Sequence, residues 1–257
     1  MTVDEIVHVE KLAVAYGGDT VLSDISFSVH KNEIFIIVGG SGSGKTTLMR
    51  HMVGLETPAG GRIHISGREI SDPRSRDFSE SLKQIGVLFQ GSALIGSMTV
   101  AENVALPISG FSGLPRDAVS AMVQIKLSLV GLECYGDHLP SEISGGMKKR
   151  AGLARALALN PDILFLDEPS AGLDPVTAAE IDRLILHINK TLGTTIIIVT
   201  HDLESIFALG QRAIMLDKGS KNIVAQGTPA DMRDNNPNPT VRRFFSRKPA
   251  DNLQEGN

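Results

Sequence analysis

The chain has 257 residues, a formal net charge of −4 and a single cysteine. That length suffices for one large α/β domain, or for one domain with a subdomain inserted. The acidic balance, with a pI near 6.0, argues against a general nucleic-acid binder, and Cys134 alone cannot form an internal disulfide and fits a reducing compartment.

The opening Met1-Thr2-Val3-Asp4-Glu5 lacks the basic, apolar start of a secretory signal. Residues after it alternate, with Val7 and Val9 set against Ile6, His8 and Glu10, and Val21 to Val29 does the same. Two half-buried antiparallel strands are expected. Glu33 to Val38 then reads as a buried strand running into Gly39-Gly40-Ser41-Gly42-Ser43-Gly44-Lys45-Thr46-Thr47. That is the pattern G-x-x-x-x-G-K-[ST], with a helix expected from Thr47 to Val53.

The glycines let backbone N–H groups turn inward around phosphates, and the helix start adds partial positive charge. Lys45 is expected to reach the β- and γ-phosphates, and the Thr46 hydroxyl to hold Mg²⁺. The signal points to a nucleoside triphosphate and is silent about what the energy is used for.

Further on, Gly60 to Gly67 reads as a short strand and Lys83 to Gln90 as another, ending at a glutamine. From Gly91 to about Ser141 the texture changes to helices and glycine-proline loops, as in a helical insert between core strands. Within it, Asp117 to Leu132 is predicted helical, with Met122, Val123, Ile125, Leu127 and Val130 on roughly one face. Ser144-Gly145-Gly146 then opens another helix, with Ser144 as its cap and two glycines exposing the first N–H groups. Read blandly, this is a capped helix with solvated lysines.

The core resumes at Ile163 to Leu166, Thr195 to Val199 and Ala213 to Leu216. Strands alternating with helices predict a largely parallel sheet with helices on both faces. None of these apolar runs is long enough to cross a bilayer, so membrane work would need a partner. Asp167 ends a buried strand, where ligands of open α/β sheets sit, and can bind Mg²⁺ through water. Glu168 follows as a carboxylate able to polarise an attacking water. Asp174 before Pro175 is a natural N-cap for a helix carrying Ile181, Leu184, Ile185 and Ile188, with Gly193 past its end. The last ten residues are polar and expected to be mobile.

Taken together, these residues resemble the ABC-type ATPases over about residues 5–230. Ile143-Ser144-Gly145-Gly146-Met147 with Arg150 is similar to their signature sequence, although glutamine is usual where Met147 stands. Gln90 matches the Q-loop, Asp167-Glu168 the Walker B strand and catalytic glutamate, Ser170 to Asp174 the D-loop, and His201 the switch histidine. Tyr16 takes the place of the aromatic that stacks on adenine.

The resemblance implies an α/β P-loop NTPase fold: a mostly parallel core sheet, an N-terminal antiparallel β subdomain and an inserted helical subdomain. The ATPase domain would span about 1–235, with the insert at about 91–160 and a C-terminal extension at 236–257. It implies ATP and Mg²⁺ as ligands, with Thr46, Gln90 and Asp167 at the metal. It also implies a homodimer in the ATP-bound state, with each ATP between Lys45 of one copy and Ser144 of the other. Catalytic roles fall to Lys45, Glu168 and His201.

Val87 to Ile95, Ala101 to Pro107, Leu139 to Arg150 and the tail from Pro237 to Phe245 are similar to the Mla-type branch. That resemblance implies phospholipid transport between inner and outer membranes on the cytoplasmic face of the inner membrane. Its partners would be an integral membrane permease, an MCE-domain protein and, in some members, a small STAS-domain subunit. Competing readings are another importer or exporter ATPase, or a soluble mechanochemical ABC ATPase. The latter lacks support, since the chain has no heptad run and no basic excess.

Overall fold

The computed structural model describes residues 5–71 and 73–246; the expectations for the first four residues and the last ten lie outside them. β1 (Glu5–Tyr16) and β2 (Asp19–His30) form an antiparallel hairpin. β3 (Ile34–Gly39) leads into α1 (Lys45–Met52), and β4 (Gly60–Ile65) returns to pair with β1. After the short β5 (Arg68–Glu69) and α2 (Arg76–Leu82), β6 (Ile85–Leu88) enters the core. α3 (Val100–Phe111), α4 (Arg116–Leu129) and α5 (Gly145–Ala156) follow, then β7 (Ile163–Asp167), α6 (Pro175–Leu192) and β8 (Thr195–Val199). The chain continues through α7 (Leu203–Leu209), β9 (Arg212–Asp217), β10 (Asn222–Gly227), α8 (Pro229–Asp234) and α9 (Pro239–Phe245).

Two sheets result. One is four-stranded and antiparallel in the order β2-β1-β4-β5; the other is six-stranded in the order β10-β9-β3-β8-β7-β6, parallel except for β10. The period of two along each central strand assigns side chains to two cores. Phe35 and Ile37 face the antiparallel sheet and α1, together with Phe165, Ile197 and Val199. Ile34, Ile36 and Val38 face the other way, with Leu164, Ile196 and Ile198, onto residues of α6, α7 and α9. Burial on both faces explains why these strands read as unbroken apolar runs.

Arg212 binds the two sheets together. Its Nε donates to Glu33 Oε1 at 2.6 Å, and an Nη donates to the Ser28 carbonyl of β2 at 2.5 Å. The helical segment has its own core, in which Val104, Ile108, Val123, Leu127, Ala151 and Ala154 join α3, α4 and α5.

Several expectations need correction. Ile125 is 64% exposed, because it lies two residues from both Val123 and Leu127, about 200° around the helix from each. Ile6 is buried rather than outward-facing; β1 is irregular, with Lys11 at φ 46° and register shifts on either side of Leu12. The strand expected over Lys83 to Gln90 is confined to β6. Apart from these corrections, the described chain ends in a packed helix, with Val241 and Phe245 inside the second core.

Candidate active site

The turn between β3 and α1 is shaped by residues that could not carry side chains there. A Cβ on Gly39 would stand 2.5 Å from the Leu216 carbonyl oxygen, and one on Gly44 would stand 2.7 Å from Leu22 Cδ2. Gly42 and Gly44 also have φ of 73° and 92°, the left-handed region glycine tolerates. Gly40 and Ser41 complete the loop, and Thr47 continues into α1. Lys45 Nζ donates to the Gly39 and Gly40 carbonyls at 2.9 and 3.0 Å, so its ammonium lies back along the loop. Burial pushes the Lys45 pKa down, and Glu168 and Asp167 oppose that shift. The Ser43 hydroxyl, 2% exposed, has no hydrogen-bond partner among the described residues. A turn closed to a Cβ at Gly39 and Gly44, left-handed at Gly42 and Gly44, with a cation lying along it, suits a polyphosphate.

The parallel register brings the ends of β7 and β8 beside this turn. Thr46 Oγ1 lies 3.4 Å from Asp167 Oδ1. A hydroxyl and a carboxylate side by side are the hard oxygen donors Mg²⁺ takes, and such ions usually add phosphate oxygens and water. Asp167 is 4% exposed. Its pKa is raised by burial and by Glu168, against the lowering effects of Thr46, Lys149 and Lys45. The next residue, Glu168, has φ 49°. Its carboxylate accepts from the Thr200 hydroxyl at 3.2 Å and lies 2.6 Å from His201 Nδ1. The His201 side chain is 69% exposed, so one ring edge holds the carboxylate while the rest faces outward.

Tyr16 ends β1 with its ring half exposed. Its hydroxyl bonds Glu56, which also pairs with Arg50 of α1 at 3.2 Å. Gln90 follows β6, and its carbonyl accepts from Lys149 Nζ at 2.5 Å. Lys149 is the residue sequence reasoning missed. It sits on α5 among lysines that read as solvated, yet it is 5% exposed.

Ser144 caps α5, its Oγ accepting from Met147 N at 3.2 Å. Gly145 opens the helix, while Gly146 serves close packing: a Cβ there would meet Thr177 Cγ2 at 2.6 Å. Among the described residues, no hydrogen bond or ion pair joins the Ser144 turn to the Lys45 turn. Asp174 caps α6, accepting from the N–H groups of Val176 and Thr177 at 3.0 Å and from the Thr177 hydroxyl at 2.5 Å. These bonds, the hydroxyl's first, hold its carboxyl below the usual range.

The fold and the site define an ATPase of the P-loop class, built for ATP and Mg²⁺. The ABC transporter family model matches residues 22–171. The chain belongs to that family, as its sequence relatives also indicate. It is 39% identical over 245 residues to methionine import ATP-binding protein MetN 2 of Rhodopseudomonas palustris, covering 95% of this chain and 64% of the relative. It is 37% identical to MetN 2 of Enterococcus faecalis, covering 99% of this chain and 73% of that one. The chain therefore spans about two thirds of the length of such relatives.

Among solved structures, cbiO1 of Clostridium perfringens, part of the cbiONQ transporter complex, superposes with TM-score 0.81 and 32% identity, over 89% of this chain and 90% of that one. The ATP-binding cassette MJ0796, in a dimeric post-hydrolysis state bound to ADP and Pi, gives TM-score 0.79 and 29% identity, over 87% and 98%.

The Mla-type resemblance is overturned by these relatives, which are methionine import proteins. The MCE-domain partner loses its support with it, and the STAS-domain subunit rested on the same resemblance. The physical reason lies in the residues that carried it. Met147 is partly buried and packs against the helical core, and the tail packs its apolar residues into the second core. Both are packing positions, which do not report a cargo.

Proposed function

We propose that this chain is the ATP-hydrolysing subunit of an ABC importer, one of a pair of copies that close on two ATP molecules against a membrane permease. The observation that carries the hydrolytic part is the cluster of Thr46, Asp167, Glu168, Thr200 and His201 beside the glycine-rich turn. Lys45 and the loop N–H groups grip the β- and γ-phosphates. Thr46 and Asp167 would hold Mg²⁺, with the Gln90 side chain as a further ligand, and a bound ion would supply neutralisation of charge on the phosphate oxygens. Glu168 accepts the proton of the attacking water, and His201 orients that carboxylate and senses the terminal phosphate. Tyr16 stacks on the adenine.

The Ser144-Gly145-Gly146 turn completes the site of the other copy, with Asp174 at the dimer seam. Among the described residues of one copy, no hydrogen bond or ion pair links that turn to the Lys45 turn. The helical subdomain, about 91–160 within a domain of about 1–235, would swing as a unit on its own core, while Val241 and Phe245 of the extension after 236 stay packed in the second core.

The permease would dock in a groove of about 490 Å³ beside β6, lined by Val87, Phe89, Leu106 and Phe111. Leu106 and Phe111 are exposed there, whereas the nearby Leu94 packs against the helical core. No helix among the described residues is long and apolar enough to cross a membrane, so the chain would sit at the cytoplasmic face through that groove. The methionine-import relatives favour a small, amino-acid-like solute handed over by a substrate-binding protein.

Purification of the intact complex, followed by uptake of labelled methionine into proteoliposomes, tests this. Uptake that requires ATP and an unaltered Glu168 supports the reading. Co-purification with an MCE-domain protein and no solute uptake would overturn the importer assignment and leave the ATPase assignment standing.

A further inference from the structure

α5 is pressed against the end of β6 and the turn after it. A Cβ on Gly86 would stand 2.2 Å from the Ala156 carbonyl oxygen, and one on Gly152 would stand 2.7 Å from Leu88 Cδ1. Besides Arg150, which donates to the Val130 carbonyl at 3.2 Å, two cations on this helix claim backbone carbonyls from the turns around the site. Arg155 donates to the Ala93 and Ser92 carbonyls at 2.6 and 2.7 Å. Lys149 donates to the Gln90 carbonyl at 2.5 Å and to the Glu168 carbonyl at 2.9 Å. Ser92 and Ala93 have φ of 61° and 48°, so the turn that Arg155 holds is itself in the left-handed region.

Glu168 is held at every polar group. Its N–H donates to the Val199 carbonyl at 2.8 Å, and its own carbonyl accepts from Ala171 N at 3.1 Å as well as from Lys149. Thr200 and His201 hold its carboxylate. A glutamate at φ 49° stays there only where its surroundings enforce it. Among the described residues, Lys149 contributes the only charged side chain bonded to its backbone, from a position 5% exposed. Burying an ammonium is costly unless it is paired or well hydrogen-bonded, and both of its bonded partners are carbonyls of site loops.

We propose that Lys149 is a positioning residue: its ammonium sets the Glu168 backbone, and so the aim of the hydrolytic carboxylate, while tying that residue and the Gln90 turn to helix α5. The inference rests on the ATPase reading above and assigns the helix a second duty. Its Ser144 end serves the other copy's nucleotide, and its Lys149 side serves its own.

The test uses the full chain, purified with whatever membrane subunits it carries. Lys149→Met should lower kcat for ATP by about 10- to 100-fold, the loss expected when a reacting group is displaced by about an ångström. Equilibrium affinity for a fluorescent ATP analogue should stay within about twofold, and Lys149→Gln, which keeps one short donor, should fall between. Where Lys149→Met fails to fold, Lys149→Gln carries the comparison.

In a Glu168→Gln background the Lys149 substitution should add less than about twofold, since a residue acting through Glu168 has nothing left to aim. Unchanged kcat, a loss of affinity in step with kcat, or full additivity with Glu168→Gln would each overturn the proposal. The Glu168→Gln chain alone reports on the underlying assignment: undiminished turnover there removes the proposed base, whatever Lys149 does.

Discussion

His201 Nδ1 lies 2.6 Å from Glu168 Oε1, joining the residues that leave two neighbouring parallel strands. The contact puts a carboxylate beside the Lys45 turn with its orientation fixed by an imidazole and a hydroxyl. Glu168→Gln keeps the shape and removes the basicity. Turnover should fall by about 10²–10⁴, the usual worth of a general base, while ATP binding persists. Single-turnover hydrolysis beside equilibrium nucleotide binding measures both.

Tyr16 is tied through Glu56 to Arg50 of α1, so its ring orientation is linked to the helix that begins at the phosphate loop. Tyr16→Ala should raise KM for ATP about 2- to 10-fold, the value of a stacked aromatic contact beyond area burial, with kcat little changed. A fall in kcat at unchanged KM would take Tyr16 away from the base.

Phe111 is 67% exposed at the end of α3, beside the groove that also exposes Leu106. Substitution at so open a position should leave stability within about 0.5 kcal/mol. Phe111→Asp should therefore keep ATP binding intact while reducing ATP-driven transport by the complex at least about tenfold. Transport assays in proteoliposomes decide the matter.

Asp182 of α6 is 7% exposed, and its Oδ1 has no bonded partner among the described residues. Its other oxygen accepts from Ser205 at 2.8 Å. Burial raises its pKa above the ordinary 3.8, and the nearby Asp202 adds to that. A carboxyl whose folded pKa is raised stabilises the fold most below its unfolded pKa. That contribution is lost as pH rises through the folded value. Asp182→Asn should thus gain stability relative to the unaltered chain between pH 4 and pH 8, read from urea midpoints at each pH.

Phe245 is 2% exposed and packs edge-on against Phe207 at 6.2 Å. Phe245→Ala should cost about 3–5 kcal/mol, the price of emptying a large buried site. Chemical unfolding measures it; a loss below about 1 kcal/mol would place the tail outside the core.

The elements that sequence made legible were those whose pattern and chemistry agree. β3 and the glycine-rich turn are signalled together by an apolar run and a spacing that few other structures require. α6 carries a cap, a proline, an apolar stripe and a terminal glycine, and the helix spans the residues between those signals. Elsewhere the local signal was weak or ambiguous. β10 is an edge strand with mostly half-buried residues, and α2 and α7 have seven residues each. Ile125 sits in a helical run whose apolar residues outnumber the positions on one face.

At the site, the glycine-rich turn and the strand-end carboxylates, which the structure brings together, stand out in the sequence because each type has specific chemistry. Lys149 was not, since a lysine in a basic run is ordinarily solvated. Only the approach of α5 to β6, allowed by Gly86 and Gly152, buries it. Cargo was least legible, because residues that set domain packing can resemble another branch without touching what is carried.

The left-handed backbone at position 168 leaves a mark on the whole molecule. Holding a residue other than glycine in that region costs about 1–3 kcal/mol, a noticeable share of a typical domain's net stability. A chain tuned purely for endurance would place glycine or asparagine at that spot. The glutamate keeps the folded state poorer than it needs to be, and sturdier variants selected without regard to turnover should surrender this side chain early.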